Sequence, residues 1–201
     1  MAQAAPQYPA NLAVDYPERL DRLTTFFRLF TVIPIAIVLG LLTGAANRDG
    51  YGFASYLFLP ILLMLLFRRK YPRWWFNWNY GLVSFAARVS VYLCLLRDEY
   101  PSTDEEQAIH VELTYPDAVT ELNRWLPLVK WLLAIPHYVV LFFLWIAALV
   151  AIIIAWFAIL FTTRYPRGLF GFVVGVLRWS LRVEAYAFLL ITDRYPPFDL
   201  N

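Results

Sequence analysis

Long stretches without a charged residue alternate along the chain with short clusters of charge, tyrosine and proline. Leu29 to Asn47, Gly50 to Phe67 and Tyr138 to Phe161 contain no Asp, Glu, Lys or Arg. The last of these holds 24 residues. As a helix with a rise of about 1.5 Å per residue it reaches about 36 Å, more than the roughly 30 Å hydrocarbon core of a bilayer. The polar, glycine-rich stretch Thr43 to Gly52 predicts a turn in water, which makes 24–43 and 53–67 a helical hairpin. The stretch 126–161 has no such tip. It admits two short spans with a tight turn, or a surface helix to Pro136 followed by one long span. A third helix is predicted in each half, over 74–96 and 168–191.

The two halves repeat one another. Tyr16-Pro17, Arg69-Lys70-Tyr71-Pro72-Arg73, Ala87-Arg88-Val89-Ser90-Val91-Tyr92 and Asp98-Glu99-Tyr100-Pro101 return as Tyr115-Pro116, Thr163-Arg164-Tyr165-Pro166-Arg167, Leu181-Arg182-Val183-Glu184-Ala185-Tyr186 and Asp193-Arg194-Tyr195-Pro196. Matching landmarks lie 94 to 99 residues apart, as in a duplicated unit expected to pack as a pseudo-two-fold pair. The expected organisation is a polar tail (1–15), a first membrane unit (16–101), an acidic linker (102–114) and a second membrane unit (115–201). The repeat favours the hairpin reading of 126–161. Seven of the thirteen prolines follow a tyrosine. Proline disfavours helix at the residue before it and tyrosine prefers the headgroup layer, so each Tyr-Pro marks a point where the chain meets the bilayer surface.

Composition agrees with a lipid environment. With 61% hydrophobic and 16% charged residues the chain is too apolar for a soluble domain of its size, where about 25% charge is usual. The net charge of +2 is too small to suggest nucleic acid, and no Lys/Arg cluster has the character of a phosphate-tracking surface. Met1 to Glu18 lacks a basic segment followed by an apolar core, so no cleavable signal peptide is expected. The single cysteine, Cys94, leaves no internal disulfide and reads as a buried thiol among leucines.

The third helices are unusual because each carries an arginine in mid-helix, Arg88 and Arg182. At the bilayer centre such a charge costs roughly 2.5–3.5 kcal/mol even on a lenient scale. Helical spacing places Gly81, Ser84, Arg88 and Tyr92 on one face, and Gly171, Gly175, Arg178, Arg182 and Tyr186 on the matching face. Either these are amphipathic helices at the interface, whose arginines and tyrosines meet anionic lipid headgroups, or the glycines bring two spanning helices together around an interior. Interfacial third helices give four crossings, with Arg68-Arg69-Lys70, the acidic linker and Arg164-Tyr165-Pro166-Arg167 all cytoplasmic, in keeping with the positive-inside rule. Glu184, aligned with Ser90, is expected to pair with Arg88 across the two units.

Further residues carry a resemblance. Lys130-Trp131-Leu132-Leu133-Ala134-Ile135-Pro136-His137-Tyr138, Ala155 to Thr162, Arg164-Tyr165-Pro166-Arg167, Gly175-Val176-Leu177-Arg178-Trp179 and Asp193-Arg194-Tyr195-Pro196-Pro197-Phe198 resemble the bacterial membrane family known as domain of unknown function 4389. The second half resembles it over nearly its whole length and the first more loosely. The resemblance implies an integral membrane protein, often a tandem of two units, and implies no activity, ligand or catalytic residue.

Catalytic readings find little to stand on. Glu106 and His110 have a spacing that can share a metal, but a solvated acidic linker explains them better, so no metal site and no cofactor are expected. There is no Gly-rich phosphate loop, no His-Glu-x-x-His helix and no Gly-x-Ser-x-Gly elbow. The expectation is an all-α, multi-pass protein of the bacterial inner membrane, built as two tandem units of a transmembrane hairpin plus an Arg-bearing third helix. Its expected role is a non-catalytic accessory or scaffolding subunit, with membrane lipids and other integral membrane subunits as partners. A small transporter or channel lined by Arg88, Arg182 and Glu184 is the alternative, and a lipid-modifying enzyme the third.

Overall fold

The computed structural model describes residues 8–43 and 59–201 apart from Asp104 and Glu106, so most of the expected turn Thr43 to Gly52 lies outside the described residues. The chain is mostly helical. In order it forms strand β1 (Ala10–Val14), helix α1 (Arg22–Leu42), helix α2 (Leu59–Arg68), helix α3 (Arg73–Leu93), strand β2 (Ile109–Leu113), the short helix α4 (Pro127–Leu133), and helices α5 (Ile135–Thr162) and α6 (Arg167–Ala187). Two of these, α1 and α5, are long and apolar enough to cross a membrane.

Local chemistry sets the helix ends. Asp21 has extended backbone and its carboxylate accepts the Thr24 N–H at 2.8 Å, capping α1. These bonds hold the Asp21 carboxyl below its usual range. Arg69 and Thr163 take left-handed conformations, with φ of 48° and 60°, and so end α2 and α5. Pro72 and Pro166 then begin α3 and α6 as extended N-caps, so the two Tyr-Pro pairs here act as helix punctuation.

Two expectations are corrected. The fold is not wholly helical, because parts of the expected tail and linker form a two-stranded antiparallel sheet, with Leu12 opposite Val111 at its centre. The stretch 126–161 contains no hairpin. It forms α4 and then one uninterrupted helix of 28 residues, because from His137 to Thr162 nothing interrupts the run: no proline, glycine or charge is present to turn the chain.

Three layers result. α6 packs on α4, α5 and β1, while α3 packs on α1 and β2, so each strand lies against the third helix of the other half. α1 also meets α5, near Trp156, whose indole donates to the Thr25 carbonyl at 3.3 Å. On the outside, α1 and α5 expose Leu29, Phe30, Ile33, Phe142, Phe143, Leu149, Ile153 and Phe157. The sheet exposes His110 and, just after β1, Asp15, whose carboxylate lies 3.3 Å from the His110 imidazole.

Candidate functional site

Two buried cation clusters of like construction close the bundle, and neither was foreseen. In the first, Arg28 of α1 is buried. Its guanidinium ion-pairs with Asp98, donates to the Tyr92 and Arg97 carbonyls at 3.0 and 2.9 Å, and sits 4.5 Å from the Tyr92 ring centroid. In the second, Lys130 of α4 is equally buried. It ion-pairs with Asp193 at 2.7 Å, donates to the Thr192 carbonyl at 2.7 Å, and lies 5.2 Å from the Tyr186 ring centroid. A second tyrosine stacks edge-on against the first in each cluster, Tyr100 on Tyr92 and Tyr195 on Tyr186.

Each aspartate also receives a backbone N–H from the chain leading into the helix it anchors, at the N-cap of α1 and four residues ahead of α4. Asp98 accepts from Asp21 at 2.7 Å and Asp193 from Asn123 at 2.5 Å. Burying the charges is tolerable because each pair is close and supplemented by carbonyl oxygens. Desolvation nevertheless pushes the Lys130 ammonium below its ordinary value, opposed by Asp193. The signal in the sequence was the pair Arg28 to Ile33-Pro34 and Lys130 to Ile135-Pro136. Their offset of 102 residues falls outside the 94 to 99 that marks the other landmarks.

The arginines singled out from sequence face the polar layer. Arg88 donates to the Ser102 carbonyl at 2.8 Å, and Arg178 to those of Leu12 and Leu200 at 2.8 and 3.1 Å. Arg182 reaches the carbonyls of Asp199 at 3.3 Å and Asn201 at 2.6 Å. Tyr92 and Tyr186 are buried with the cations, so the five residues expected to meet headgroups are engaged internally. The anticipated pair of Arg88 with Glu184 does not form among the described residues: Glu184 is exposed on α6, and α3 packs on α1 rather than against it. Of the glycines expected at helix contacts, Gly81 and Gly171 face open space, whereas Gly175 lies beneath Leu200 of the C-terminal segment.

Residues 125–199 match the model of the family described as Domain of unknown function (DUF4389). The match covers little more than a third of the chain, its second half, and shows what this segment is similar to. No curated protein and no solved structure matches the chain. The matched segment holds Lys130, Asp193, Tyr186 and Tyr195 of the second cluster and, beside them, an aromatic cage around His137. There Phe198 stacks on the imidazole at 4.1 Å, Tyr195 lies at 4.7 Å, and the Trp179 indole donates to Nδ1 at 3.1 Å. Accepting at Nδ1 assigns the imidazole proton to Nε2. Cys94, by contrast, is a buried thiol whose pKa desolvation pushes up to about 12, which leaves it protonated and unreactive. Among the described residues no group of three metal-ligating side chains occurs, and Glu106, the expected neighbour of His110, lies outside them.

Proposed function

We propose that this chain is an integral membrane protein of the bacterial inner membrane, built from two duplicated units and acting as a non-catalytic accessory or scaffolding subunit of a larger membrane assembly. The observation that carries the membrane reading is α5, whose 28 residues include no Asp, Glu, Lys or Arg and expose Phe142, Phe143, Ile146, Leu149 and Phe157. So large an apolar surface calls for lipid or protein cover. The duplication is supported by the matched Arg28 and Lys130 clusters, and by left-handed residues in matched positions, Leu95 and Leu190.

The scaffolding reading is supported by how the polar groups are used. The guanidinium groups of Arg28, Arg88, Arg178 and Arg182 and the Lys130 ammonium bind carbonyls and carboxylates of the chain itself, which fixes shape. Headgroup contacts in this reading pass to the exposed cations at the helix turns, Arg68, Arg69, Lys70 and Arg167. Purification in mild detergent through two successive affinity steps tests the role. A second membrane subunit in fixed ratio is the expected result, and a chain that is purified alone from its native membrane, with its native lipids retained, overturns it.

A further inference from the structure

α1 and α5 are long enough to cross a bilayer, yet α5 is bound along its side to a layer that cannot enter hydrocarbon. Ala134 and Leu141, at one end of α5, share a core with Trp179, Val183 and Ala187 of α6. Midway, the Trp145 indole donates to Ser180 at 3.1 Å. Toward the other end, Ala148, Ala151, Ala155 and Ile159 share a core with Leu177, Val174, Val173 and Phe170. The two helices are therefore antiparallel neighbours over the length of α6.

The polar layer follows the same line. The Tyr8 hydroxyl donates to the Arg182 carbonyl at 3.4 Å, Arg178 reaches the Leu12 carbonyl, the Tyr16 ring packs on Phe170 at 5.0 Å, and the Leu20 N–H binds the Thr163 carbonyl at 2.9 Å. From β1 onward the chain thus runs beside α6 from end to end, carrying exposed Asp15, Glu18 and Arg19. If α5 stood across the bilayer, this strip and the outer edges of a two-stranded sheet would be drawn into hydrocarbon. There each charge costs roughly 2.5–3.5 kcal/mol and open strand edges are not tolerated.

We propose that the protein enters one leaflet only: α1 and α5 lie along the membrane with their exposed apolar faces among the acyl chains, while the β1–β2 sheet stays in water. The occupant of the apolar face is thereby one monolayer of lipid with anionic headgroups. Charge complementarity supports it, since Arg68, Arg69, Lys70 and Arg167 are exposed at the turns that join this layer to α3 and α6. Exposed Trp74, Trp78, Trp125 and Trp131 suit the same headgroup zone. The proposal rests on the membrane reading above and replaces the crossings expected from sequence with one-sided insertion.

The two ends of α5 provide the test. Arg164 follows its C-terminus, and Pro197 lies beside its N-terminus, where the neighbouring Phe198 stacks on His137. The parent chain serves as the blank because its one cysteine, Cys94, is buried. In sealed vesicles of known orientation, Arg164→Cys and Pro197→Cys are expected to react with a membrane-impermeant maleimide in the same vesicle population. Reaction of the two in opposite populations overturns the proposal.

Spin labels at Phe142, Leu149 and Phe157, which span about 22 Å of helix, decide the matter independently if a loop variant fails to insert. Similar depths for all three agree with one-sided insertion, and a depth that passes through the bilayer centre along the series overturns it. Carbonate washing separates the two readings. A chain released from vesicles overturns the membrane reading itself, whereas a retained chain with opposed α5 ends overturns only the one-sided arrangement.

Discussion

Tyr16 donates its phenolic proton to the carbonyl of Tyr165 at 2.5 Å, and 99 residues later Tyr115 donates to the carbonyl of Tyr71 at the same distance. Each bond crosses from one half of the chain to the other. Each tyrosine also carries an arginine of the opposite half over its ring, Arg167 at 5.0 Å over Tyr16 and Arg73 at 5.1 Å over Tyr115. Tyr16→Phe and Tyr115→Phe keep the ring and the cation–π contact and remove only the donor, so each is expected to cost about 1 kcal/mol. Thermal unfolding in detergent reads this, with similar losses for the two variants. A loss confined to one of them would mean that the halves are not held together symmetrically.

The buried ion pairs are expected to show a non-additive pattern. Lys130→Met leaves the Asp193 carboxylate without its cation, at a cost of about 3–5 kcal/mol. Lys130→Met with Asp193→Asn removes both charges and keeps an acceptor for the Asn123 N–H, so it should recover at least 1 kcal/mol of that loss. Asp98→Asn should be similarly damaging through Arg28. A double variant as unstable as the sum of its parts would show that Lys130 and Asp193 are not coupled.

These clusters mark where the sequence could be read and where it could not. The Tyr-Pro pairs locate the starts of α3 and α6 to within a residue or two, whereas the charge-free run before Thr162 announces an apolar helix without fixing its continuity, and the repeat points to a hairpin where α5 runs unbroken. The strands were illegible because five residues in polar surroundings carry little periodicity, and each pairs with a partner about 100 residues away. The stripe containing Arg88, Arg178 and Arg182 was visible, but its partners are backbone carbonyls of Ser102, Leu12, Asp199, Leu200 and Asn201, which leave no side-chain signature. Glu184, the one acid in the surrounding apolar run, is the carboxylate that the sequence offers to Arg88, and it stands exposed on α6 instead.

Alkaline pH should weaken the fold through Cys94. Its thiol is held up to about 12 by burial against an ordinary value of 9.0, so the unfolded chain gives up this proton first. The corresponding stability is intact below pH 9 and declines as pH rises from there toward 12, by about 1.4 kcal/mol at pH 10. The buried Tyr71 and Tyr165 phenols, also pushed up by desolvation, add to the loss above pH 10. Cys94→Ala should flatten the stability profile between pH 9 and 10, measured by chemical denaturation in detergent. An unchanged slope would show that Cys94 titrates freely in the folded chain.

The glycines of the third helices should respond in opposite directions to the same substitution. A methyl group at Gly81 or Gly171 meets nothing within 4 Å, so alanine there gains helix propensity and is expected to stabilise by roughly 0.5–1 kcal/mol. At Gly175 the same methyl group would lie 2.8 Å from both the Cβ and the carbonyl oxygen of Leu200. The C-terminal segment must then move away, weakening the bonds of Arg178 to the Leu200 carbonyl and of Arg182 to the Asn201 carbonyl. Gly175→Ala should therefore destabilise by about 1–3 kcal/mol despite its better propensity. Melting temperatures of the three variants in one detergent check the contrast, and a stabilised Gly175→Ala would show that residues 199–201 do not hold the arginines of α6.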